Sequence, residues 1–206
     1  MDWRTENAKD GRLLNLRGLA PLDPSAVAAD GDLVAMVEGH NTRLARAVDR
    51  LGQLAADRQR LADFDAWQET DSADIAAARS RVRNESWDAV LELRRLLLER
   101  DALLAQMETR LRGRYGRASD AHDQAVAAAE KRLRKERRRL ERANPATAGG
   151  HFADLVADEE PVSDAAERMA AAREALESTS ADRRHLAAGL RAVTERQREV
   201  LAKLID

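Results

Sequence analysis

Residues 162–204 read VSDAAERMAAAREALESTSADRRHLAAGLRAVTERQREVLAKL, and this stretch repeats every seven residues. One seam position consists of Val162, Met169, Leu176, Arg183, Leu190, Gln197 and Leu204, and the other of Ala165, Ala172, Thr179, Leu186, Val193 and Val200. A strict period of seven indicates a helix that supercoils in a left-handed sense with partner helices. The sequence therefore predicts a helix over residues 159–205 with a coiled-coil seam.

The prolines mark where the other helices lie. They stand at positions 21, 24, 145 and 161, so residues 25–144 are free of the residue that most disrupts a helix. Apolar residues three and four apart predict one helix over 33–69 and a second over 73–142. We assign to the seam of the first helix Val34, Val37, Leu44, Val48, Leu51 and Ala55, and to that of the second Val82, Ala89, Leu93, Leu96, Leu103, Met107 and Leu111. Gly113 and Gly116 predict a kink in the second helix, since glycine weakens a helix by about 1 kcal/mol.

The composition excludes several classes of protein. Of the 206 residues 35% are charged, only 3% are aromatic and none is cysteine. A wide globular core normally depends on aromatic area, and disulfides and thiolate chemistry need cysteine. We expect a non-enzymatic protein with no catalytic residues, no metal, no cofactor and no small-molecule substrate. No secretion signal or membrane span is expected either, so the predicted location is the cytoplasm, with peripheral contact on the inner face of a membrane.

These features predict an all-α fold. Short connections place consecutive helices antiparallel, and the unequal helix lengths predict an elongated three-helix coiled coil with a kinked central helix and a two-helix arm. We expect residues 33–206 to form a single domain, preceded by an N-terminal extension over 1–32 that is partly ordered or amphipathic. The leucines between Leu13 and Leu22 suit either an amphipathic membrane segment or packing against the helices.

Three long antiparallel helices with a two-helix arm resemble the BAR domains of membrane-shaping proteins. The resemblance covers residues 33–206 and concerns architecture alone. It implies a homodimer that contacts lipid head groups through basic residues on its concave face and arm tips. A dimer is also expected because slender helices rich in leucine would leave an apolar face open.

Charge is distributed unevenly along the chain, although the net charge is only -2. Residues 1–72 carry -4, residues 73–142 carry +6 and residues 143–206 carry -4. The basic residues of the middle segment concentrate near its end, at Lys131, Arg132, Arg134, Lys135, Arg137, Arg138, Arg139 and Arg142. Such a cluster gains on the order of 1 kcal/mol per residue near anionic lipid, and Phe152, Leu155 and Val156 are candidate shallow anchors beside it.

Three other interpretations remain open. The basic residues could pair with acidic ones at Asp158, Glu159, Glu160, Asp164 and Glu167 and only solvate the helix. The protein could be an adaptor or chaperone-like coiled coil that binds a partner helix through an open apolar seam. Nucleic acid is the less favoured anion, because no aromatic residues interleave with the basic ones for base stacking. The leading hypothesis is a dimeric scaffold that binds an anionic membrane and shapes or senses its curvature.

Overall fold

The computed structural model describes residues 19–65, 73–143 and 160–205, and these are almost entirely helical. They form α1 (Gly31–Asp65), α2 (Ala73–Ala143) and α3 (Glu160–Ile205). A short 3₁₀ helix at Pro24–Val27 precedes α1, and no strand occurs in these ranges. The all-α class is confirmed, and each helix begins within two residues of its predicted start.

The chain divides into two compact units. Unit 1 consists of Met1–Met107 and Ser180–Asp206, and unit 2 consists of Glu108–Thr179. Helices α2 and α3 contribute residues to both units, whereas α1 belongs to unit 1 alone. The two units are described in turn.

The core of unit 1 is a single cluster of aliphatic side chains from all three helices. Among its most completely buried members are Val37, Leu44, Leu51, Leu93, Leu96, Leu97, Leu104, Leu186 and Val193. Fully burying a side chain of this size contributes about 1.5–3 kcal/mol. The cluster therefore supplies the main driving force for assembling unit 1.

The buried line of α1 differs from the predicted one. It consists of Leu33, Val37, His40, Leu44, Ala47, Leu51, Leu54 and Arg58, which alternate steps of four and three residues. Val34, Val48 and Ala55, which we assigned to the seam, are half-buried at its flank. Two positions of the line hold a histidine and an arginine, which a search for apolar residues passes over, and the other unassigned members are the apolar residues Leu33, Ala47 and Leu54.

The segment before α1 is fastened to unit 1 by one side chain. Asn41 Oδ1 accepts a hydrogen bond from the Leu22 backbone N–H at 2.8 Å, and Asn41 Nδ2 donates to the Leu22 carbonyl at 2.8 Å. Leu22 and Val27 are buried in the core, and Leu19 packs against it. Asp30 then caps α1, since its Oδ1 accepts from the Leu33 N–H at 3.2 Å. Leu19 and Leu22 therefore pack against the helices, which is one of the two arrangements expected for this segment.

Unit 2 has a seam of small residues. Ala129 and Val162 are buried together, and half-buried Ala125, Val126 and Leu133 pack against them. Ala165 and Ala172 are also buried. Helix α2 continues through Gly113 and Gly116 without interruption, so the glycines do not end it. A bend there remains a prediction.

Candidate anionic-surface site

The predicted basic cluster lies in unit 2, on the last three turns of α2. All eight of its side chains belong to exposed residues: Lys131, Arg132, Arg134, Lys135, Arg137, Arg138, Arg139 and Arg142. The helix reaches Ala143, so every one of them has a helical backbone. Their directions around the helix axis therefore follow from their spacing.

Four of these residues form a line along the solvent face, which we call the basic stripe: Lys131, Lys135, Arg138 and Arg142. They are four, three and four residues apart, which places them within about 60° of one another around the axis. Ala129, buried against Val162, faces nearly the opposite direction. The stripe spans roughly 16 Å, since each residue advances the helix by about 1.5 Å. It presents one positive charge per helical turn, directed away from the packed seam.

Most of the cluster is not neutralised by partners in the described residues. Five of the eight residues form no ion pair within 4.0 Å with any described residue: Lys131, Lys135, Arg138, Arg139 and Arg142. Arg134 Nη2 lies 2.9 Å from Glu130 Oε2 on the preceding turn, and Arg132 and Arg137 make other polar contacts. Within the described residues, no carboxylate therefore neutralises a member of the basic stripe.

Three of the five acidic residues expected to pair with the cluster belong to the described part of the chain. Glu160, Asp164 and Glu167 are exposed on α3, and their carboxylates form no ion pair within 4.0 Å with a described residue. The two remaining candidates, Asp158 and Glu159, lie outside the described residues. The purely solvating interpretation thus loses three of its five proposed partners.

The candidate membrane anchors cannot be placed. Phe152, Leu155 and Val156 lie outside the described residues, as do the leucines of the N-terminal extension before Leu19. Their role stays a prediction. Of the predicted site, the structure therefore describes the basic residues but not the apolar anchors.

Exposed apolar surface is sparse in the described residues. Only Met36, at 45% exposed, and Leu98, at 49%, are large hydrophobic residues with an exposed surface there. An open seam for a partner helix would present a contiguous row of such side chains at helical spacing. The sequence analysis expected an open apolar face because slender helices rich in leucine cover little area. In unit 1 the buried cluster draws side chains from α1, α2 and α3 together.

The sequence reasoning missed several buried polar residues, of which His40 and Arg100 have side-chain nitrogen atoms without a hydrogen-bond partner among the described residues. His40 on α1 is 0% exposed and Arg100 on α2 is 2% exposed, both in unit 1. Each occupies a position in the alternating three-and-four spacing of its helix, and that spacing was the signal that could have found them. Neither belongs to a cluster of three or more metal-ligating side chains, and the described residues contain no such cluster.

Comparison with known proteins yields no relative. No protein-family model matches the sequence, and no curated protein or solved structure matches it. Among the described residues, no helix has both the length and the apolar character needed to cross a bilayer.

Proposed function

We propose that this chain is a non-enzymatic helical scaffold that binds an anionic membrane surface through the basic stripe of α2. The observation that carries the proposal is the row of four exposed cations at helical spacing, none of which has an ion-pair partner among the described residues. A flat anionic surface can contact the four together because they share one face of one helix. Arg139, also unpaired, lies beside the stripe and adds to the same field.

The expected strength follows from the number of charges. A basic side chain near an anionic leaflet contributes about 1 kcal/mol, so four contribute on the order of 4 kcal/mol. That corresponds to a partition coefficient raised by about three orders of magnitude. The contribution falls as salt rises, since the Debye length is about 8 Å at physiological ionic strength and about 3 Å at 1 M.

The finer architecture is also part of the proposal. Arg43 on α1 pairs with Glu99 on α2, whereas Asp57, later in α1, lines a groove with Glu85, earlier in α2. This ion pair and this shared groove support antiparallel helices in unit 1. Homodimer formation and curvature shaping, which the resemblance to BAR domains implies, are tested by mass measurement in solution and by vesicles of different diameters.

The decisive experiment is sedimentation of the full chain with vesicles of anionic phospholipid diluted in neutral phospholipid. The test variant is Lys131→Gln, Lys135→Gln, Arg138→Gln. The matched control is Arg184→Gln, Arg191→Gln, Arg198→Gln, which removes the same charge from three exposed arginines of α3 in unit 1. Three lost contacts should lower the partition coefficient by about 100-fold in the test variant, and the control should bind nearly as the parent does.

Two results would contradict the proposal. One is equal loss of binding in both triple variants, which would mean that net charge alone matters. The other is failure of the parent protein to sediment with anionic vesicles at low salt. Tighter binding to duplex DNA at matched salt, lost in the same test variant, would instead assign the stripe to nucleic acid.

A further inference from the structure

Unit 1 contains a histidine that is buried without hydrogen bonds. His40 is 0% exposed, and neither Nδ1 nor Nε2 has a hydrogen-bond partner in the described part of the chain. A neutral imidazole carries one donor and one acceptor, and both are therefore unsatisfied. A buried polar group in this state destabilises the fold.

Burial is the main obstacle to protonation of His40, and the charges around the ring act in both directions. Glu99 Oε1 on α2 lies 3.7 Å from Nδ1, but the same oxygen is already paired with Arg43 of α1. Arg100 on α2 adds a second positive charge close to the ring, and α3 contributes Asp182, which acts on Arg100. Burial is the largest effect and lowers the pKa of His40 below its usual 6.5. Glu99 has the next largest effect and raises the pKa, whereas Arg100 and Arg43 each lower it by a smaller amount.

Apolar layers enclose this position on its own helix. Val37 lies one turn before His40 and Leu44 one turn after it, and both are buried in the cluster of unit 1. Leu96, Leu97 and Leu103 of α2 belong to the same cluster. The ring itself has no exposed surface, so hydration of a charged imidazolium requires a local movement of the groups that cover it.

We propose that His40 makes unit 1 acid-sensitive, so that protonation of the buried imidazole is coupled to separation of α1 from α2. Above neutral pH the ring is neutral and the helices stay packed. On mild acidification the open form binds a proton at His40 at a pH where the packed form does not. Opening becomes more frequent because protonation stabilises the open form. The inference concerns unit 1 and does not depend on membrane binding by the basic stripe.

The sign of the pH dependence follows from linkage. The open or unfolded chain binds a proton at His40 with a pKa near 6.5, and the packed chain binds it only at lower pH. The free energy that favours the packed form over the open form is therefore highest above pH 6.5. It decreases as the pH falls from 6.5 toward the lower pKa of His40 in the packed chain. One proton changes the opening equilibrium constant by at most about tenfold per pH unit.

The test measures amide hydrogen exchange and urea unfolding of the full chain between pH 7.5 and 5.5. The variants are His40→Leu and, as a matched control, His185→Gln, which alters an exposed histidine of α3. We expect the parent and the control to open up to about tenfold more often per pH unit below pH 6.5. We expect His40→Leu to lose that dependence and to exchange slowly in α1 at both ends of the range.

A direct titration by NMR keeps the inference testable even if His40→Leu does not fold. In the parent chain the His40 imidazole should titrate below its usual 6.5. The proposal is wrong if His40 titrates at or above 6.5. It is equally wrong if a folded His40→Leu keeps the parent's pH dependence.

Discussion

Replacing Arg100 by methionine should stabilise this protein. Arg100 is 2% exposed, and its Nε and Nη1 have no hydrogen-bond partner among the described residues. Burial lowers the pKa of its guanidinium, and the attraction of Asp182 only partly opposes that effect. A lowered pKa means that the folded state disfavours the charged form that the unfolded chain carries at neutral pH. Met retains an unbranched apolar stem in place of the buried part of the arginine.

The magnitude follows from the donors that are removed. A buried donor without a partner costs about 1–3 kcal/mol, and replacing buried charges by apolar side chains of similar volume is neutral or stabilising by up to about 4 kcal/mol. Lost attraction to Asp182 and the smaller volume of Met reduce the gain. We expect the free energy of unfolding to rise by about 2 kcal/mol, which for a chain of this size raises Tm by roughly 4–8 °C.

Urea unfolding followed by circular dichroism provides the measurement, with Tm as a second readout. The control is Arg95→Met on the same helix, because Arg95 is exposed and pairs only with Glu92 one turn away. Such a surface pair contributes about 0–1 kcal/mol. A loss of more than about 1 kcal/mol in Arg100→Met would refute the reasoning, because it would show that the guanidinium has satisfied partners in solution.

A double-mutant cycle separates the role of Asp182. Asp182→Asn should destabilise the parent slightly, since it removes the attraction that partly offsets the buried charge. The same substitution should have no effect in the Arg100→Met background, where no cation remains to be attracted. Equal effects in both backgrounds would mean that Asp182 acts on some other group.

Two further substitutions test local features of the fold. Asn41→Ala removes both hydrogen bonds to the Leu22 backbone, so it should lower the free energy of unfolding by about 1–3 kcal/mol and speed proteolysis before α1. Asn41→Asp keeps the acceptor and should lose less. Gly116→Ala should raise the free energy of unfolding by about 1 kcal/mol, because an added Cβ meets nothing within 4 Å on a continuous helix. A decrease in that variant would favour the predicted bend at the glycines.

Helix positions were predictable because their signals are local. A proline-free stretch and period-seven spacing locate α2 and α3 to within one residue at their starts. The seam of α3 shows the limit of such signals. Ala172, Leu186 and Val193 are fully buried, whereas Met169, Leu176 and Leu190 in the companion position are half-buried. Periodicity defines the face of a helix, but how deeply each position is buried depends on neighbours that are distant in sequence.

The basic stripe was predictable for a different reason. Its residues are adjacent in sequence and belong to one helix, so charge counting alone finds them. The absence of α3 partners within ion-pair distance in the described residues could not be predicted, because antiparallel pairing specifies which segments meet and not which side chains touch. The ion pair at Arg183 could not be predicted for the same reason. This seam residue of α3 pairs with Asp101 of α2 at 2.9 Å.

His40 and Arg100 show why the burial of polar residues is hard to infer from sequence. Each interrupts an apolar line at a position where leucine would satisfy the periodicity, and each leaves nitrogen atoms without partners. Apolar residues at both positions should give a more stable unit 1, so stability alone does not explain the pair. If Arg100→Met stabilises the chain at every pH while His40→Leu removes its pH dependence, only His40 lowers stability in a manner that depends on protonation. If both variants stabilise equally at every pH, the pair acts only on packing and helix register, the established use of buried polar residues in coiled coils.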